Sequence, residues 1–248
     1  DREASPPVGR NPRVRPARAH RVLYVSSVPS QREFDRIRSS LRPHQQEVTY
    51  GMAAASFRFH TMIMEGMLVN GVELTSLVGR PVSWRFHKGR FWPRRVENAE
   101  SHSFVVQPAF FNAPGVKQAG LAASLAWETL KWRARGPRGG RRSVFIDGAY
   151  ISAVPGVLLV LAGSKIPKVG IFADLYSYMV EVADASGRPN SRLHALARNL
   201  TRVTTQSLDA FVVLTEAMNQ LINPSGRPAI VMEGLVDAKE QSRHTTLA

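Results

Sequence analysis

Two aspartates, a histidine and a glutamate stand where an α/β chain could put them to chemical use. Asp147 and Asp174 each close an apolar run, Ser143 to Ile146 and Lys168 to Ala173. A carboxylate at the end of a buried strand can take a proton or a hydrogen bond from a bound hydroxyl group. The same place suits a helix cap or a loop hydrogen-bond acceptor, so each aspartate carries both readings. His60 follows the apolar Phe59 on a helical stretch that also holds Ser56 and Arg58. It is either a polar group facing a loop or a half-buried structural histidine. Glu216, in Leu214-Thr215-Glu216, is either a crevice carboxylate or a first-turn acid favoured by the helix dipole. Tyr50 to Ser56 is a small-residue loop around Gly51, whose lack of bulk would let a ligand come close to the backbone.

Several other chemistries lack their residues. With no cysteine there is no disulfide scaffold, thiolate metal site or thiol nucleophile, and a reducing compartment fits. The seven histidines form no HExxH, and no two sit four apart on one helix, so no metal and no bound cofactor is expected. No GxGxxG follows the first apolar run, and neither GxxxxGK[ST] nor GxSxG occurs, which argues against a dinucleotide enzyme, a P-loop NTPase and an α/β-hydrolase. Gly136 and Gly139-Gly140 precede a strand and read as a turn.

The elements that must hold these residues are legible as a rhythm. The chain has 248 residues with 44% hydrophobic and 21% charged, enough for one large domain or two small ones. Arg21 to Ser27 reads as the first strand, and Ser56 as the cap of a helix with apolar Phe59, Met62, Ile63 and Met67 on one face, stopped at Asn70-Gly71. Strands follow at Val72 to Val78, Val105 to Gln107, Ser143 to Ile146, Lys168 to Ala173, Ala210 to Leu214 and Ala229 to Met232. Helices fall around Leu121 to Trp132, Ala149 to Gly163, Asn190 to Val203 and Glu216 to Ile222. Strands apolar throughout, alternating with helices, predict a doubly wound, mostly parallel Rossmann-like sheet with helices on both faces. Ligands then bind at the carboxyl ends of strands, in the loops at Ser26 to Ser30, Asp147 to Ala149, Asp174 to Tyr178 and Thr215 to Asn219. Residues 1–20, rich in proline and arginine, read as a disordered basic leader, 21–237 as the folded domain and 238–248 as a linker.

Charge is unevenly spread. The chain carries a formal +14, and between Arg80 and Arg142 thirteen Lys and Arg face three acids, Glu97, Glu100 and Glu128, a local +10. Within it Trp84, Phe86, Phe91 and Trp92 alternate with Arg85, Lys88, Arg90, Arg94 and Arg95. Aromatics enter a lipid headgroup layer while arginines meet phosphates, so Trp84, Arg85, Arg90, Trp92, Arg94 and Arg95 are candidates for binding an anionic membrane. Half of this charge against such a leaflet would supply on the order of 5 kcal/mol. A solvated basic face and a grip on single-stranded nucleic acid are the other readings, the last with the least support. No run of apolar residues reaches a bilayer span, so any attachment would be peripheral.

Four segments in order resemble the amino-terminal half of family-four retaining glycosyltransferases of the GT-B type, particularly those building bacterial exopolysaccharides. They are Ser56 to Met67 (SFRFHTMIMEGM), similar to the helix after the family's first strand, Lys168 to Leu175 (KVGIFADL), Phe211 to Asn219 (FVVLTEAMN) and Ala229 to Asp237 (AIVMEGLVD). The resemblance runs from about Arg21 to Asp237. It implies one half of a GT-B fold, which holds the acceptor while a second domain holds a nucleotide-sugar. It implies Asp174 as the catalytic-side polar group near the acceptor hydroxyl, with Gly51, Ser56, Arg58, His60, Asp147 and Glu216 around the acceptor. Ala173 stands where many relatives have histidine before the aspartate, and Gly51 with three alanines replaces the family's glycine-rich loop. The expectation is the acceptor half of a sugar transferase, inactive alone, acting on a lipid-linked or polysaccharide acceptor at the cytoplasmic face of the plasma membrane. The alternative is a non-catalytic module binding membrane or polyanion, derived from a truncated glycosyltransferase.

Overall fold

The computed structural model of the protein describes residues 20–41, 53–80, 82, 87–99, 103–135, 140–148, 154–173, 199–200 and 202–233, with the backbone alone at 53–56 and 99. In chain order the elements are β1 (Arg21–Ser26), α1 (Gln31–Ser39), α2 (Ala53–Val69), β2 (Glu73–Val78), β3 (Phe91–Trp92), β4 (Arg95–Ala99), β5 (Ser103–Gln107) and β6 (Phe110–Phe111). There follow α3 (Val116–Arg135), β7 (Arg142–Asp147), α4 (Val154–Leu161), β8 (Lys168–Phe172), β9 (Ala210–Val213), α5 (Glu216–Ile222) and β10 (Ala229–Val231).

Eight strands form one sheet in the order β10-β9-β8-β7-β1-β2-β5-β4. Every neighbouring pair from β10 to β5 is parallel, and only the edge strand β4 runs antiparallel, against β5. The chain starts at β1, builds outward through β2 and β5, then returns to β7 and builds the other way. The strand order therefore reverses between β1 and β7. This is the doubly wound α/β architecture that the alternating pattern predicts.

The sheet separates two apolar clusters, because alternate side chains of a strand point to opposite faces. Leu23 and Val25 of β1 face α1, α3 and α4, joining Phe34, Ile37, Leu121, Leu125, Val154 and Val157. Val22 and Tyr24 face α2, joining Phe59, Leu74, Ile171 and Val212. Complete burial of a residue such as Leu23 stabilises the fold by about 1.5–3 kcal/mol.

Local chemistry explains the helix limits, including two that differ from expectation. Gln31 to Gln46 shows little periodicity, yet residues 31–39 form α1. The reason is a start signal, Ser30-Gln31-Arg32-Glu33, in which Ser30 Oγ accepts from the Glu33 N–H at 3.3 Å. The small-residue loop expected through Ser56 is helical from Ala53 on, so Ser56 lies within α2 and is not its cap. Alanine is the best helix former, and three in a row carry the helix backward. The stop is where Asn70-Gly71 places it. The Gly71 N–H donates to Leu68 O and the Val72 N–H to Met67 O, with Gly71 at a φ of 71°. The antiparallel strand β4 and the two-stranded ribbon β3–β6 have no counterpart in the pattern read from sequence. Residues 1–19 and 234–248, which hold nearly all of the expected leader and the whole linker, lie outside the described residues.

Gly156 of α4 meets α3 so closely that an added Cβ would sit 2.1 Å from Ala122 O, whereas Gly66, in the last turn of α2, has nothing within 4 Å. Opposite effects follow. Gly156→Ala is expected to destabilise the protein by about 1–3 kcal/mol through overpacking, and Gly66→Ala to stabilise it by about 0.5–1 kcal/mol through helix propensity. Urea titrations of the two variants check both signs.

Candidate functional site

In an open α/β sheet, ligands bind beyond the carboxyl ends of the strands where the strand order reverses. Here the reversal falls between β1 and β7, whose tips deliver Ser26, Ser27 and Asp147 to the place where such a crevice would form. Pleating puts Tyr24 and Asp147 on the α2 side, since Tyr24 pairs in register with Phe145 and Asp147 lies two residues further. His60 comes down from the second turn of α2 on the same side.

These groups form one chain of polar contacts. Tyr24 Oη lies 2.6 Å from His60 Nδ1. His60 Nε2 lies 3.6 Å from Asp147 Oδ2, and the same oxygen accepts from Ser27 Oγ at 3.3 Å and Ser27 N at 3.5 Å. Ser26 Oγ accepts the Val28 N–H at 3.0 Å, which shapes the turn that follows β1. Tyr24 and His60 are both 0% exposed and Asp147 is 2% exposed.

Burial, helped by the charge of Asp147, pushes the Tyr24 phenol well above its ordinary value, so it stays protonated and donates. His60 Nδ1 must then accept, which places the imidazole proton on Nε2, toward Asp147. Burial lowers the His60 pKa and the Asp147 charge only partly opposes this, so the ring is neutral at neutral pH. Edge-on contacts with Tyr24, at 5.9 Å, and Phe59, at 5.5 Å, fix its plane. The arrangement can hold one carboxylate in a set orientation at the floor of the crevice. Ser27, half-buried at the strand tip, is the more open member of the group.

The residues singled out in the sequence divide into three groups. His60 and Asp147 come together as described. Arg58 is exposed on α2, two residues and therefore about 200° from His60 around the helix axis. Glu216 is exposed beside Thr215, whose Oγ1 accepts from Met218 N, and its Oε1 accepts from Asn219 Nδ2 at 3.1 Å. It stands at the same sheet edge but beyond β9, away from the crevice. Asp174, Gly51, Trp84 and Arg85 lie outside the described residues, and of Ser56 only the backbone is described. In the basic segment Arg90 is exposed. Trp92 packs against the core, Arg94 makes two bonds to Glu128 of α3, at 2.9 and 3.1 Å, and Arg95 lies 3.7 Å from Glu33.

Sequence reasoning missed Tyr24 as part of the site, while Ser27 lies in the Ser26 to Ser30 loop that the strand pattern marks for ligands. The signal for Tyr24 was a phenol inside an otherwise apolar strand, whose hydroxyl must find a buried partner. Among the described residues, no group of three or more His, Asp and Glu side chains could hold a metal, and no helix is long and apolar enough to cross a membrane.

No protein-family model matches the chain, and no curated protein matches it. Among solved structures it is similar to sucrose-phosphate synthase from Thermosynechococcus elongatus, with 10% identity and a TM-score of 0.48 over 92% of this chain and 53% of that one. It is also similar to Arabidopsis thaliana UGT89C1 complexed with UDP, with 12% identity and a TM-score of 0.49 over 92% and 56% of the two chains. With the same enzyme complexed with UDP-L-rhamnose the values are 12% and 0.48, over 90% and 55%. These neighbours are glycosyltransferases of the GT-B type. The chain spans about half the length of the solved structures it matches.

A buried neutral histidine titrates differently in the folded and unfolded chains. Below about 6.5, the ordinary histidine value, the unfolded chain takes up a proton that the folded chain refuses. Stability contributed here is therefore present above that pH and is lost as pH falls. The unfolding free energy of the wild type should drop more steeply between neutral and mildly acidic pH than that of His60→Gln. Equal slopes in denaturant titrations across that range would refute the assignment.

Proposed function

We propose that this chain is the acceptor-binding half of a GT-B glycosyltransferase. In this reading it receives a sugar from a nucleotide-sugar bound by a second domain and passes it, with retention, to a lipid-linked or polysaccharide acceptor. The observation that carries the reading is the buried polar chain from Tyr24 through His60 to Asp147 and Ser27, set where the strand order reverses. The described parts of the four sequence segments that resemble family-four transferases lie in α2, β8, β9 with α5, and β10.

Within this reading the described residues position the acceptor and do not attack it. Asp147 is enclosed, so it acts through Ser27, setting the direction of the loop between β1 and α1 that forms one crevice wall. His60 and Tyr24 hold Asp147 from beneath. Asp174, two residues beyond the carboxyl end of β8, is retained as the proposed group near the acceptor hydroxyl, where a carboxylate would accept a hydrogen bond from the attacking oxygen. Charge on the departing diphosphate would be met by the donor domain. The chain's own part is orientation, which is worth large factors because a displacement of about 1 Å can cost about 10²-fold in rate.

Fused to the carboxyl-terminal domain of a family-four transferase, the chain should gain transfer or hydrolysis of nucleotide-sugars. Inertness of a well-folded fusion across UDP-, GDP- and ADP-sugars would overturn the reading. In an active fusion, Asp147→Asn should lower transfer to acceptor by roughly 10²-fold while slow donor hydrolysis stays near the wild-type rate. Equal loss of both would remove Asp147 from the acceptor side.

A further inference from the structure

The β3–β6 ribbon has two unlike faces. Trp92 and Phe110 are cross-strand partners whose rings stack 6.3 Å apart with planes 4° from parallel, and they turn inward. The buried Arg80 guanidinium lies over both rings, at 5.4 and 5.7 Å, and donates to the carbonyls of Pro93 and Pro108. Trp92 Nε1 donates to Gly89 O at 2.9 Å and the Asn112 N–H to Arg90 O at 2.6 Å. The ribbon is thus tied to the body of the protein.

On its outer face Phe91 and Phe111, also cross-strand partners, sit 5.1 Å apart and are 55% and 56% exposed. Lys88 and Arg90, on the approach to β3, are exposed. No acidic residue occurs from His87 to Val96 or from Pro108 to Gln118, so the local charge is of one sign. Only Pro108 and Ala109 separate β6 from the carboxyl end of β5. Because β5 runs parallel to β2 and β1, the ribbon stands at the same edge of the sheet as the crevice.

We propose that this ribbon is a membrane-docking wedge. Phe91 and Phe111 seat in the headgroup layer of an anionic phospholipid bilayer, Lys88 and Arg90 meet lipid phosphates, and the crevice edge turns toward the membrane. Exposed aromatics ringed by cations match that layer, whose depth takes rings and whose surface takes positive charge. A single-stranded nucleic acid calls for a cationic track beside ring faces set to stack on successive bases, whereas here the two rings lean together with planes 47° apart and the cations flank an apolar knob. The wedge differs from the sequence expectation in its residues, since Trp92 is an inward anchor and the outward aromatics are the phenylalanines. The docking stands on the ribbon alone. Only its purpose, bringing a lipid-linked acceptor to the crevice, rests on the transferase reading.

The chain should co-sediment with vesicles of phosphatidylcholine and phosphatidylglycerol in equal parts and not with phosphatidylcholine alone. Phe91→Ser with Phe111→Ser should lower the partition coefficient about tenfold or more, and Lys88→Ala with Arg90→Ala should lower it and flatten its salt dependence. Thermal unfolding should stay near that of the wild type, since all four side chains are exposed. Wild-type binding by the phenylalanine pair variant, equal binding to neutral vesicles, or no binding at all would overturn the proposal. So would a phenylalanine-dependent affinity for single-stranded DNA, or a phenylalanine-dependent dimer, in place of vesicle binding. Failure of vesicle binding in a fusion that still transfers sugar to a soluble acceptor would remove the wedge and leave the acceptor reading standing; vesicle binding by an inert fusion would do the reverse.

Discussion

A carboxylate and an imidazole shut away from water depend on the protein for their partners, because each unsatisfied buried polar group costs about 1–3 kcal/mol. His60 Nδ1 meets Tyr24 and Asp147 meets Ser27, while His60 Nε2 faces Asp147 at 3.6 Å, an electrostatic contact longer than a hydrogen bond. At the junction of β1 and β7 this requirement ties three separate elements together. Tyr24 comes from the middle of β1, His60 from α2 and Asp147 from the last position of β7, and none can shift by a residue without stranding the others. A slip of one position would turn Tyr24 or Asp147 to the opposite face of the sheet. The polar chain therefore sets the register of the central strands as well as the floor of the crevice. Apolar contacts on either side supply most of the stabilisation but tolerate more than one arrangement.

The outer half of the sheet answers a different demand. Among the described residues, several cations of its +10 segment are drawn into ion pairs and contacts within the protein. Arg94 and Lys131 converge on Glu128, Arg95 approaches Glu33, and Arg80 is buried beneath the ribbon. These cations are used to fasten β4, the ribbon and α3 to the body. An edge strand carrying Arg95 and Glu97 also resists pairing with another chain. Among the described residues, Lys88 and Arg90 are exposed beside the two outward phenylalanines, and the function of this group follows from that pairing more than from the total charge.

Strands buried on both faces were legible in the sequence because their apolar runs are continuous, and the doubly wound order followed from their alternation with helices. His60 and Asp147 were visible as candidates, yet nothing in their spacing said that they would meet, since 86 residues and a crossover separate them. Arg58 looked equivalent to His60 in sequence, but two positions on a helix point in nearly opposite directions. Short pieces were hardest to read. β3 and β6 have two residues each, too few for any period, and they exist because Trp92 and Phe110 share the Arg80 guanidinium. α1 was hidden by its many charges, although Phe34, Ile37 and the cap at Ser30 were present.

Asp147 is followed by Gly148, and the reason lies on the far side of the crevice floor. An added Cβ at Gly148 would come within 2.3 Å of the Phe172 ring, and one at Gly170 within 2.6 Å of the same ring and 2.5 Å of Leu208. Phe172 at the tip of β8 thus lies against bare backbone at both positions, while the Gly148 N–H donates to Ile171 O at 2.7 Å. The chain leaving β7 is held from one side by this ring and this bond, and from the other by Ser27 and His60 acting on the carboxylate. A side chain at 148 would meet the Phe172 ring on the sheet face opposite Asp147, so that either the ring or the tip of β7 would have to shift. The floor is accordingly rigid by construction.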